Sequence, residues 1–139
     1  KKKYPNTIII KIFETQPIAI LIKNNKKYIL DTLSNLIAFD EKPTYKDLPN
    51  VFGKGAESDF INFFTQLKDG KFPRNKVKSY YYFQINRWDL KLFNGQIIKF
   101  PNNKRAEAIQ QSVKLLNRKD FKNYKVIDLR ISGKIVAEQ

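Results

Sequence analysis

The chain has 139 residues, 42% hydrophobic and 14% aromatic, enough apolar mass for one folded domain with a buried core. It carries 27 Lys+Arg against 13 Asp+Glu, a formal charge of +14, and contains no His, Cys or Met. These absences exclude a Ser-His-Asp triad, a thiol nucleophile, a zinc finger and a disulfide framework. The longest apolar run, Ile18 to Ile22, is far shorter than the roughly 20 residues that cross a bilayer.

Along the chain, strand and helix periodicities alternate. Thr7 to Glu14 places Ile8, Ile10 and Ile12 on one face of a β-branched strand. Pro17 separates it from a short apolar strand, Ile18 to Lys23, and Asn24-Asn25 turns the chain into Lys27-Tyr28-Ile29-Leu30. Residues 40–56, with Pro43, Pro49, Gly53 and Gly55, read as an irregular connection. Ser58 is expected to cap a helix running to Lys68, with Phe60, Ile61, Phe63, Phe64 and Leu67 on its apolar face and Asp69-Gly70 as its stop. A second helix is predicted from after Pro101-Asn102-Asn103 to Asn117, with Ala106, Ile109, Val113 and Leu116 as its stripe. Val77 to Phe100 and Tyr124 to Ala137 are strand-rich. The fold class is α+β, a mostly antiparallel sheet packed with two main helices.

Register can be argued at the Asn94-Gly95 hairpin. A two-residue loop would set Lys99 beside Leu90 and Phe100 beside Asp89, mixing charge and apolar groups on both faces. A three-residue loop, Phe93-Asn94-Gly95, with Gly95 left-handed in a bulge, shifts the pairing by one. Trp88 then faces Phe100, Leu90 faces Ile98, Leu92 faces Gln96, and Asp89 stands opposite Lys99 as a cross-strand ion pair. The bulged register is predicted.

The charge is spread evenly. Residues 1–50 hold nine basic and five acidic groups, and residues 51–100 and 101–139 hold nine and four each. Lys outnumbers Arg 22 to 5, whereas phosphate and base readers favour the Arg fork. A solvated surface therefore accounts for the charge before nucleic acid does. A basic nucleic-acid-binding domain remains the alternative, with Tyr80-Tyr81-Tyr82-Phe83 near Lys76 and Lys78 as its stacking platform. Catalysis has only Asp31, Asp40, Glu41 and Asp47 as clustered carboxylates, and acidic residues between elements are commonly solvated. Gly53-Lys54-Gly55 lacks the spacing of a phosphate loop. No enzyme activity, metal or cofactor is expected.

The closing stretch, Val126 to Ala137, reads as a strand at a sheet edge, where unpaired main-chain groups accept another strand. A central or protected strand has the same periodicity.

Three separated segments resemble the bacterial cell-division family FtsQ, called DivIB in Gram-positive bacteria. Tyr4-Pro5-Asn6-Thr7-Ile8-Ile9-Ile10 with Glu14 and Pro17-Ile18-Ala19 resembles the end of its POTRA domain. Trp88-Asp89-Leu90-Lys91-Leu92-Phe93-Asn94-Gly95 is similar to its Trp-x-Leu-x-Leu-x-Asn-Gly hairpin. Val126-Ile127-Asp128-Leu129-Arg130 with Gly133 resembles its last signature. The chain departs from the pattern at Phe100-Pro101, in the second helix and at Ile131.

The resemblance implies that residues 1–22 are the end of a POTRA domain and residues 23–139 a β domain. It implies an extracytoplasmic (periplasmic) part of a protein anchored in the inner membrane at the division site by a span absent here. It further implies a non-catalytic divisome scaffold that docks FtsB, in complex with FtsL, by strand addition at the C-terminal edge. By the same resemblance, the partner-binding positions are Arg130, Ile131, Ser132, Gly133, Lys134, Ile135 and Val136, with Arg87 as a second basic candidate. An intramolecular pair with Asp128 or another carboxylate is the competing role for Arg130.

Overall fold

In the computed structural model, residues 16–39, 45, 47–131 and 134–139 are described. The strand expected over Thr7 to Glu14 lies outside them. The apolar run after Gln16 forms β1 (Pro17–Lys23), and Asn24 and Asn25, both with positive φ, turn it tightly into β2 (Lys26–Asp31). β3 (Leu36–Ala38) returns along β2. The expected irregular connection contains one further strand, β4 (Asn50–Phe52), which slips in parallel to β1. Helix α1 (Phe60–Asp69) leads to β5 (Val77–Phe83), which hairpins into β6 (Arg87–Leu92) and β7 (Ile97–Lys99). Helix α2 (Arg105–Leu116) connects to β8 (Val126–Asp128), and β9 (Val136–Glu138) closes the sheet.

Among the described residues the nine strands form one sheet, ordered β3-β2-β1-β4-β5-β6-β7-β8-β9. Five of the eight neighbouring pairs are antiparallel; β1–β4, β4–β5 and β7–β8 are parallel. Each helix is the crossover of one parallel step, β4-α1-β5 and β7-α2-β8. Both steps move the same way across the sheet between strands of one direction, so right-handed crossovers set both helices on the same face. There they touch each other and cover the core.

Trp88 is the centre of that core. It is fully buried, stacks on Phe63 at 5.4 Å, and meets Phe60 and Tyr80 edge-on. The α1 stripe is as expected, with Phe60, Phe63 and Leu67 buried and Ile61 and Phe64 half-buried. The bulged hairpin also holds. Leu90 faces Ile98 and Asp89 faces Lys99, the Leu92 N–H bonds to the Gln96 carbonyl at 2.8 Å, and Gly95 has φ 95°.

Three local expectations are corrected, and the end of α1 gains detail. Ser58 does not cap α1: its hydroxyl bonds to the Gly55 carbonyl at 2.7 Å, and Asp59 occupies the cap position. Asp69-Gly70 ends α1 as expected, with Gly70 at the cap position. Lys71 takes the left-handed conformation (φ 62°), with Phe72 N–H bonding to Leu67 O and Lys71 N–H to Lys68 O. Gly70 is needed for closeness, because a Cβ there would lie 2.6 Å from Ile109 Cγ2 on α2. On α2, Ile109 is buried and Val113 and Leu116 pack half-buried on the core as expected, but Ala106 is exposed, and Ala108 and Ser112 join the buried face, turned so that Arg105 enters the interior. Finally, Asp89 bonds to Arg87 at 2.8 Å rather than to Lys99 across the strands.

Candidate functional site

The sheet face turned away from the helices is built by register. One row runs from Ile22 to Phe52, Tyr81, Asp89, Lys99, Asp128 and Val136, each the neighbour of the next across the ladder. Its first half is apolar and aromatic, with Phe52 stacked on Tyr81 at 5.0 Å. Its second half is charged.

The two arginines singled out by the sequence meet this charged half. Arg87 lies on the same side of β6 as Asp89, bonds to its carboxylate, and stacks over Phe83 at 4.3 Å. Arg130, two residues beyond Asp128, grips that carboxylate with Nε to Oδ1 at 2.9 Å and Nη2 to Oδ2 at 2.6 Å, and its own N–H adds a third bond. Lys99 stands between the two carboxylates without a short bond to either. Three cations and two carboxylates thus share one face. Their electrostatics differ. Burial pushes the Asp89 carboxyl above its usual range, against the pull of Arg87, Lys99 and Arg130. The hydrogen bonds from Arg130 hold the Asp128 carboxyl below its usual range.

The remaining predicted positions are not one strand. After Asp128 the ladder ends, because that carboxylate turns the Arg130 main chain and side chain onto itself. Ile131 is in a bend, Lys134 donates its N–H to Ile131 O at 3.1 Å, and Ile135 precedes β9. Of the described positions from Ile131 to Val136, only Val136 lies in a strand. Ser132 and Gly133 lie outside the described residues. β9 pairs with β8 on one side, and among the described residues no strand covers its other side. Ile131, Ile135 and Val136 are all exposed there. Beside this edge a cavity of about 200 Å³ is lined by Leu115, Tyr124, Ile127, Ile135 and Ala137.

The other candidates dissolve into packing. Tyr80 is fully buried, Tyr81 stacks on Phe52 and Tyr82 packs on Trp88 at 4.9 Å, so the tyrosine run offers no stacking platform. Asp31 accepts the N–H groups of Leu33 and Asn35 at 3.0 and 2.8 Å, shaping the β2–β3 turn. Asp40 and Glu41 lie outside the described residues, and among the described residues no three His, Cys, Asp or Glu gather as metal ligands.

Sequence reading missed one polar centre. Asp59 accepts Trp88 Nε1 at 2.9 Å and Arg105 Nη1 at 2.6 Å, while Arg105 also reaches Gln66 Oε1 and the Asn86 carbonyl. Its side chains are 8% and 9% exposed, so it ties α1, α2 and the β5–β6 turn inside the fold. The only signal was an arginine at the start of α2, out of step with its polar neighbours.

The family described as "Cell division protein FtsQ/DivIB, C-terminal" matches residues 19–130. The chain is similar to the cell division protein FtsQ of Rickettsia typhi, at 34% identity over 99% of this chain and 52% of that one. FtsQ of Rickettsia conorii is 31% identical over 99% of this chain and 52% of that one. FtsQ of Rhizobium radiobacter is 29% identical over 99% and 67%. The chain therefore spans about half the length of the Rickettsia relatives. Among solved structures, the major extracytoplasmic domain of DivIB from Geobacillus stearothermophilus is similar, with TM-score 0.44 and 14% identity, over 76% of this chain and 98% of that one.

Proposed function

Because the chain belongs to the FtsQ/DivIB family of cell-division proteins, we propose that it is a non-catalytic scaffold that docks partner proteins of the division machinery at its β9 edge. The partners in this reading are FtsB and FtsL, and the mode is strand addition. One observation carries it: among the described residues β9 is an uncovered edge strand, with Val136 in it and Ile131 and Ile135 before it all exposed beside Arg130. Main-chain bonds to such an edge supply affinity, and side chains entering the cavity beside it supply selectivity.

Arg130 fits an acidic partner residue because its bond to Asp128 is short-range and on the surface, and exposed pairs of this kind exchange at little cost. In this reading residues 1–22 carry the end of a POTRA domain and residues 23–139 the β domain, with β1 running from the first into the sheet of the second. The portion is extracytoplasmic and belongs to a membrane-anchored protein. No helix among the described residues is long and apolar enough to cross a membrane.

The test is calorimetric titration of FtsB–FtsL into the chain and into proline variants at Val136, Ala137 and Glu138. Alternate N–H groups of an edge strand point outward, so this scan removes at least one outward donor. Affinity should fall at that position, and Arg130→Glu should weaken binding about tenfold or more. Unchanged affinity throughout the scan would overturn strand addition at β9.

A further inference from the structure

A cavity of about 420 Å³ shares Arg118 and Phe121 with the one beside β9, but none of its lining residues lies in β9, and it takes no part in the proposed strand addition. Three segments far apart in sequence meet there: the turn before β5, the tip of the β6–β7 hairpin, and the short 3-10 helix Lys119–Asn123 after α2. Its walls are fixed by hydrogen bonds. Phe93 N–H reaches the Lys76 carbonyl at 3.0 Å, and the buried Gln96 amide donates to the Phe121 and Tyr124 carbonyls at 2.7 and 2.8 Å. Such a cavity exists before any ligand arrives, which lowers the ordering cost of binding.

Its lining divides by chemistry. Leu92, Leu116 and Phe121 form an apolar floor, and Phe93, 65% exposed at the hairpin tip, stands as an apolar wall. The rim carries Lys76, Arg118, Lys119 and Lys122, and among the described residues no carboxylate lines the cavity. Arg118 is held by Asp120 through two bonds of 2.9 Å, so its charge is already answered. The three lysines have no ion pair among the described residues. They are flexible point charges around a concave apolar floor, not a planar Arg fork and not a flat basic surface.

From this lining we infer that the cavity is a second docking site, for an acidic peptide segment that inserts one bulky aromatic or branched side chain between carboxylates. The apolar floor takes the anchor, and Lys76, Lys119 and Lys122 take the flanking charges. A nucleic acid would need successive open aromatic faces for stacking, and this cavity offers only Phe93, since Phe121 is buried. A bilayer would need a protruding apolar surface instead of a hollow.

The experiment is fluorescence anisotropy with a labelled Asp-Glu-Phe-Leu-Asp-Glu peptide, the same peptide with Ser in place of Phe and Leu, and a single-stranded oligothymidylate. The protein is used as the whole chain, alongside Lys119→Glu/Lys122→Glu and Phe93→Ser, all at exposed positions where the fold tolerates change. The expected result is saturable binding of the Phe-Leu peptide, weakened about tenfold by the double charge reversal and severalfold by Phe93→Ser. The Ser peptide should bind far more weakly, and the Ala137→Pro variant should bind the Phe-Leu peptide as the unaltered chain does. The last result separates this site from the β9 edge. Equal binding of the two peptides would overturn the inference, as would no binding at about 1 mM. Oligothymidylate binding that the same substitutions abolish, with the peptide inert, would assign the cavity to nucleic acid.

Discussion

Two Arg–Asp pairs of the same length, 2.6 Å, do opposite work in this fold. Arg105–Asp59 joins residues 46 apart, is almost wholly enclosed, and shares its carboxylate with the Trp88 indole. Arg130–Asp128 joins residues two apart on the sheet face, with side chains 44% and 20% exposed. A bond length therefore says little about what a pair contributes. The interior pair decides which elements meet, because either charge left alone would be buried without a counterion. The surface pair is nearly free to open, since water screens both partners. That freedom suits Arg130 to the role proposed for it.

Breaking the interior pair should have the largest effect. Arg105→Leu leaves Asp59 enclosed with only the indole, and should cost about 3–5 kcal/mol in urea unfolding monitored by Trp88 fluorescence. Asp59→Leu/Arg105→Leu should cost less than Arg105→Leu alone, because no orphan charge remains. A double variant weaker than the single one would show that the pair contributes more than mutual neutralisation.

The next effect tests whether that pair alone holds the helices together. Gly70→Ala puts a Cβ 2.6 Å from Ile109 Cγ2, and overpacking of this kind costs about 1–3 kcal/mol. Helix propensity favours Ala over Gly by only about 1 kcal/mol, so destabilisation should win. Ile109→Ala in the Gly70→Ala background should recover part of the loss by removing the colliding methyl. An unaltered or raised melting temperature for Gly70→Ala would show that α1 and α2 have slack at this contact.

Much of the interior was legible in the chain, and the reason is local periodicity. The α1 stripe and the Gly95 bulge follow from alternation within about ten residues, and only one hairpin register separates Trp88 and Leu90 from Asp89 and Lys99. What escaped depends on distant partners. β4 is three residues between Pro49 and Gly53, and it is a strand because β1 and β5 flank it. Arg105 looks solvent-directed until Asp59 is placed beneath it, and that placement also turns α2 so that Ala106 faces outward. The terminal strand broke in two because the Asp128 carboxylate recaptures Arg130, an event that hydrophobic alternation does not record. Arg87 and Arg130 share a face only through the parallel β7–β8 register, which no local pattern encodes. The lysine-rimmed cavity combines three turns without periodicity, so it had no signature at all.

The smallest effect lies on the sheet face itself, where Asp89 and Asp128 flank Lys99 and should titrate with opposite consequences. Asp128 is depressed in the fold, so its contribution is present above the unfolded carboxylate pKa and is lost as pH falls through the folded value. Asp89 is raised, chiefly by burial, so its contribution is full below the unfolded pKa and is lost as pH rises through the folded value. Asp128→Asn should therefore destabilise at neutral pH by at most about 1 kcal/mol, and the difference from the unaltered chain should vanish toward about pH 3. For Asp89→Asn the difference should shift in the stabilising direction as pH rises over the same span. Unfolding curves taken between about pH 3 and 7 read both slopes. Parallel slopes would mean that the two carboxylates sit in equivalent surroundings. Opposite slopes would show that Arg130 is bound to a carboxylate already content to be ionised, so that releasing the arginine to a partner leaves behind a charge that water can solvate.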